Sequence, residues 1–157
     1  MEKIRMGLVG MAQGWYATVY SRACAQHKEV DFIGICDLGM PPEDVLACAE
    51  ITAEAFAQEL GVPLYHDFDE LMQQNPKALI ITCETADHHR YALAAIEAGI
   101  HVFVGKPLTN TLEAAKQVAQ LAARNPSVIV QPGEPARYED GMIQARESVL
   151  SGEIGKP

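Results

Sequence analysis

The sequence predicts an α/β fold, a doubly wound parallel sheet with helices on both faces. Three observations carry this expectation. Apolar runs at 5–9, 30–36, 78–82, 101–104 and 127–130 are nearly continuous, the pattern of strands buried on both faces. Between them lie longer segments with helix start and stop signals. The two kinds of segment alternate, as right-handed βαβ units require.

Each element follows in order. The first strand leads into a helix over 15–26. The second leads into a single helix over 43–60, preceded by Pro41 and Pro42 and stopped by Gly61. "DFDELMQQ", 67–74, reads as a short helix with acidic residues in its first turn. "HHRYALAAIEAG" ends in Gly99, suited to the position just past a helix. "TNTLEAAKQVAQLAAR" opens with Thr111 as candidate N-cap. A last helix is expected over 139–150.

Composition bounds the function. A chain of 157 residues can bury a core, and 48 % hydrophobic with 21 % charged residues is ordinary for a soluble globular protein. The net charge of −9 argues against nucleic acid or an anionic membrane surface as partner, because phosphate affinity needs clustered Lys and Arg. No apolar run is long enough to span a bilayer. Cys24, Cys36, Cys48 and Cys83 form no C-x-x-C pair and have apolar neighbours. They are expected to be buried, reduced thiols of a cytoplasmic protein.

In a doubly wound fold the ligand lies at the carboxyl ends of the strands, so the loops there are the candidate sites. The first is "GMAQGW". Gly10 permits a tight turn. The amides of Met11 to Trp15 are expected to face an anion, with the helix dipole behind them. At G-x-G-x-x-G spacing, Ala12 and Trp15 replace the second and third glycines, and Gly14 lies one place early. An ordinary strand-to-helix connection uses the same kind of turn. The second strand supports the cofactor reading. It ends in Asp37, 27 residues after Gly10, where a carboxylate can accept both ribose hydroxyls of an adenosine. Leu38, Gly39 and Met40 follow, with no basic residue for an extra phosphate, which favours NAD over NADP.

Several motifs then fall in the order of a known family. They are "GLVGMAQGW", "CD", "LGVPLYHDFDELMQQNPKALIIT", "HHRYALAAIEAGIHVFVGKPLTNTLEAAKQV" and "RYEDGMIQARESVLSGEIGKP". Together they resemble the N-terminal domain of the glucose–fructose oxidoreductase / inositol dehydrogenase (Gfo/Idh/MocA) family. The resemblance implies a Rossmann sheet of six strands in order 3-2-1-4-5-6. Residues 1–131 would be the dinucleotide-binding domain. Residues 132–157 would be a connecting loop and helix leading to a second, α+β domain that this chain lacks.

The resemblance also implies roles. Thr82 and Cys83 fall in the loop bordering the nicotinamide end of the cofactor. His88 matches the histidine at the start of the next helix, where it either serves the site or merely caps the helix in solvent. His88 and His89 point about a hundred degrees apart on a helix, a poor metal pair, and no metal is expected. Lys106 matches the lysine beside the reacting centre, able to hold developing negative charge on a substrate oxygen.

Three positions depart from the family. Gly105 stands where Glu is usual, Glu84 where a proline is usual, and Pro135 where Asn or Gln is frequent, with Arg137 and Tyr138 retained. The sequence stops at "SGEIGKP", a phrase that in this family runs into the second domain, so a truncated chain is expected, inactive by itself. The implied function is NAD-dependent hydride transfer to or from a sugar, cyclitol or related polyol, in a protein that forms homo-oligomers when complete. A stand-alone NAD-binding module without catalysis is the alternative.

Overall fold

The computed structural model describes residues 2–156; Met1 and Pro157, the ends of the two expected domain spans, lie outside them. Six strands form one sheet: β1 (Ile4–Val9), β2 (Val30–Cys36), β3 (Leu64–Tyr65), β4 (Ala78–Ile81), β5 (His101–Val104) and β6 (Val130–Pro132). Their order is β3-β2-β1-β4-β5-β6, and every neighbouring pair is parallel. This is the expected doubly wound sheet, with strand order reversing between β1 and β4.

Both faces of the sheet are packed, which is why the strands read as unbroken apolar runs. Leu8, Ile35 and Ile80 enter a core with Ala17, Val45 and Phe56 from α1 (Gly14–Gln26), α2 (Pro42–Ala49) and α3 (Ala53–Leu60). Val9, Ile81 and Val104 enter a second core. It is covered by α4 (Phe68–Met72), α5 (His88–Glu97) and α6 (Leu112–Arg124), through Leu71, Ile96 and Val118. Successive residues of one strand thus serve opposite cores.

Two expectations are corrected. The single helix over 43–60 is two helices. Glu50 adopts a left-handed conformation (φ 59°), and Thr52 then caps α3 by accepting the Ala55 amide at 3.2 Å. The last strand begins at Val130 rather than spanning 127–130, because the Val128 amide bonds the Asn125 carbonyl in the turn that closes α6. Other signals hold. Thr111 caps α6 by accepting the Ala114 amide, and Gly99 follows α5 at φ 76°. Beyond β6 a short 3-10 turn (Pro135–Tyr138) leads into α7 (Asp140–Ser151), none of whose residues is buried. Met142, Ile143, Val149 and Leu150 leave an exposed apolar face there.

Candidate functional site

A cleft of about 290 Å³ opens at the carboxyl ends of β1, β2 and β4, at the point of strand reversal. Gly10, Met11, Ala12, Asp37 and Cys83 all line it. Half of the expected residues thus meet in one hollow; Gly14, Trp15, Thr82, His88 and Lys106 are not among its lining residues.

The turn after β1 is built on two glycines with different jobs. Gly10 has φ 74°, and a Cβ there would overlap the Cβ and Cα of Cys83. Only glycine lets the turn press so closely on the end of β4. Gly14 is buried at φ 23°, and a Cβ there would overlap the backbone carbonyl of Cys48, so Gly14 seats α1 against α2. The expectation that every amide from Met11 to Trp15 faces an anion is corrected here. The Gly14 amide donates to the Met11 carbonyl and the Gln13 amide to the Thr82 carbonyl, both at 2.9 Å. Among the described residues, the amides of Met11, Ala12 and Trp15 keep no protein partner. The Trp15 side chain, 62 % exposed, lines a separate hollow with Arg22 and Ile51, so only its amide is placed to serve an anion. The Met11 side chain is buried in the core shared with α1–α3.

Asp37 stands at the tip of β2, its amide bonded to the Tyr65 carbonyl. One carboxylate oxygen accepts the Gly39 amide at 3.3 Å, which holds the side chain in a turn and leaves the other oxygen free of protein partners among the described residues. Asp44, Glu84 and Asp87 line the same cleft, and no Lys or Arg does. An anion in this cleft would therefore meet open amides and the amino end of α1 rather than a basic side chain.

Thr82 is fully buried and bolts β4 to the turn, its hydroxyl donating to the Gly10 carbonyl at 2.7 Å. His88 is also fully buried, which excludes the solvent-exposed cap. Its Nδ1 lies 3.0 Å from the Pro107 carbonyl oxygen and its Nε2 3.1 Å from that of Cys83. The ring thus joins the loops after β4 and β5, and either tautomer donates to one of them.

The Cys83 thiol is pushed up to about 12, first by burial and then by Asp87 and Glu84. The Cys36 thiol is likewise pushed up to about 12, by burial with Asp67, Asp37 and Glu70 adding. A raised thiol stays protonated at neutral pH and is a poor nucleophile. Both should therefore resist iodoacetamide at pH 8 until the chain is unfolded, as read by mass spectrometry of native and urea-treated samples. Rapid native labelling of Cys83 would contradict this environment.

Lys106 is exposed, and its ammonium lies 5.3 Å from the centroid of the Tyr16 ring, which stacks on Tyr20. Its main chain is held more firmly. The Gln13 side-chain amide donates to the Lys106 carbonyl at 2.7 Å, and the next carbonyl, of Pro107, meets His88. Gln13 is the residue sequence reasoning missed. The signal was Gly105: a Cβ there would overlap the Gln13 amide, so the missing side chain at 105 makes room for one from the α1 turn.

Glycine turn, β2-tip acid and open amides together fit a dinucleotide, and comparisons with known proteins agree. A family model described as "Oxidoreductase family, NAD-binding Rossmann fold" (Gfo/Idh/MocA) matches residues 4–134. The inositol 2-dehydrogenase of Salmonella typhimurium is 29 % identical over 98 % of this chain and 44 % of its own length. The scyllo-inositol 2-dehydrogenase (NAD(+)) of Bacillus subtilis is 34 % identical over 67 % of this chain and 31 % of its own. The scyllo-inositol dehydrogenase of Lactobacillus casei, solved with NAD(H) and scyllo-inositol, superimposes with a TM-score of 0.80 at 25 % identity, over 99 % of this chain and 43 % of that one. The chain thus spans less than half the length of these relatives. With the matching fold, cleft and sequence, the chain belongs to the Gfo/Idh/MocA oxidoreductase family, in its NAD-binding Rossmann region.

Proposed function

We propose that this chain binds NAD for an oxidoreductase that moves a hydride between nicotinamide and the carbinol carbon of a cyclitol, sugar or related polyol. The observation that carries the reading is the half-buried Asp37 carboxylate, with an oxygen to spare, facing the open amides of the turn after β1. The activities that the related inositol dehydrogenases are named for support the substrate class. The non-catalytic alternative finds no support among them.

When bound, NAD supplies the hydride acceptor. Asp37 would accept the adenosine ribose hydroxyls. The amides of Met11, Ala12 and Trp15 would hold the pyrophosphate at the amino end of α1. Lys106 would hydrogen-bond the substrate oxygen and steady its charge as the proton leaves. The free thiols of all four cysteines favour a reducing, cytoplasmic setting. Among the described residues no helix is long and apolar enough to cross a membrane. The exposed apolar face of α7 would dock the second domain of the complete protein.

The acidic lining favours NAD over NADP, whose extra phosphate would meet Asp37 with no basic residue to offset it. Asp37→Ala should weaken NAD by about 1–3 kcal/mol, the scale of hydrogen bonds to a charged group, and narrow the gap to NADP. In the unmodified chain the gap should widen as ionic strength falls, because screening weakens. Calorimetric titration of both nucleotides at two salt concentrations tests this. Unchanged NAD affinity in Asp37→Ala would remove the ribose role.

A further inference from the structure

Two helix amino ends stand at the cleft, and they are built differently. At α1 the amides of Met11, Ala12 and Trp15 keep no protein partner among the described residues. At α2 the donors are largely used up. Pro41 and Pro42 have no amide hydrogen to offer. The Asp44 and Val45 amides both donate to the Pro41 carbonyl, at 2.9 and 3.1 Å. Among the described residues only the Glu43 amide of that turn keeps no protein partner. The Asp44 side chain is exposed and lines the cleft, while Val45 beside it is buried in the core and anchors the turn. A carboxylate here offsets the partial positive charge of the helix end. Asp37 lines the same cleft, joined to α2 by the loop 38–41. That loop is no steric bar, since a Cβ on Gly39 would meet nothing within 4 Å. A group reaching from the adenosine ribose toward α2 would find room, two carboxylates and no cation.

We propose that Asp44 is a specificity-determining residue that excludes NADP, by repelling the 2′-phosphate on its adenosine ribose. Rossmann sites that accept this phosphate place an arginine near the β2 tip. Here the side chain that α2 turns to the cleft has the opposite charge. The two acids divide the work. Asp37 accepts the ribose hydroxyls, so its loss weakens NAD as well as relaxing the choice. Asp44 makes no contact with NAD and acts on the extra phosphate alone, by charge and not by bulk. The inference rests on the NAD reading above and adds to Asp37 a second determinant on a different element.

Calorimetric titration of NAD and NADP into the unmodified chain, Asp44→Asn, Asp44→Lys and Glu43→Gln tests it. The titrations are run at about 0.1 M and about 1 M salt, where the screening length is roughly 10 Å and 3 Å. Glu43→Gln removes the same charge from the neighbouring residue, which does not line the cleft. At the lower salt Asp44→Asn should tighten NADP about three- to tenfold, the scale of one exposed charge facing a doubly charged phosphate. NAD should stay within about twofold, which also shows that the cleft is intact. Asp44→Lys should tighten NADP further, and Glu43→Gln should change it by less than about twofold. The gains should largely vanish at the higher salt. NADP affinity unchanged in Asp44→Asn would overturn the inference. So would an equal gain in Glu43→Gln, which would make the effect one of net charge. A change in NAD matching that in NADP would also overturn it, because Asp44 would then act on what the two nucleotides share. An unmodified chain that binds neither nucleotide would overturn the dinucleotide reading itself.

Discussion

Gly10→Ala is expected to destabilise the fold and abolish NAD binding together. A residue with a Cβ pays about 1–2 kcal/mol for the left-handed conformation at φ 74°. The added carbon also overlaps Cys83, which is 3 % exposed and has no room to retreat. Overpacking of that kind costs about 1–3 kcal/mol more. The turn would have to move away from β4, breaking the Thr82 hydroxyl bond to the Gly10 carbonyl and shifting the amides of Met11 and Ala12. Gly99→Ala is the control. Its φ is 76°, yet nothing lies within 4 Å of its would-be Cβ, so it carries the conformational cost alone. Urea unfolding should place Gly10→Ala well below Gly99→Ala, and only Gly99→Ala should still bind NAD. Equal stability of the two would refute the close approach of the turn to β4.

Lys106→Ala is expected to lower kcat by about a hundredfold to ten-thousandfold, the range for a group positioned for proton transfer. It should change NAD affinity by less than about threefold. The prediction applies to a protein that contains this chain and turns over a polyol. The ammonium rests on the Tyr16 ring, an exposed cation–π contact worth about 0.5–1 kcal/mol, so it can leave for a substrate oxygen at small cost. The main chain beneath it stays pinned by Gln13 and His88 whatever the side chain does. Steady-state kinetics on myo- and scyllo-inositol with NAD, beside calorimetry, separates the two quantities. A parallel fall in NAD affinity and rate would make Lys106 a cofactor ligand and no more.

Much of the architecture was legible because it rests on local signals. β2 and β5 match their apolar runs, and Thr111, Gly61 and Gly99 mark the ends of their helices as expected. Asp37 was legible because a strand tip fixes where a side chain stands. Features set by residues distant in sequence were not legible. Nothing near Glu50 signals a break, since Thr52 caps α3 only once the chain has turned at Glu50. For His88 a role in the site and a solvent-exposed cap both stayed open, because its two carbonyl partners, Cys83 and Pro107, meet only when β4 and β5 pair. Gly105 looked like a polar side chain simply missing. Its counterpart, Gln13, comes from the opposite end of the sequence.

The central claim is that the cleft between the β1 turn and Asp37 holds NAD. Calorimetric titration of NAD and NADP into the unmodified chain tests it most directly. The account predicts one saturable NAD site, with NADP weaker by about tenfold or more, the scale of one charge-assisted hydrogen bond replaced by a like-charge encounter. No saturable NAD binding, or NADP binding as tightly as NAD, would contradict it.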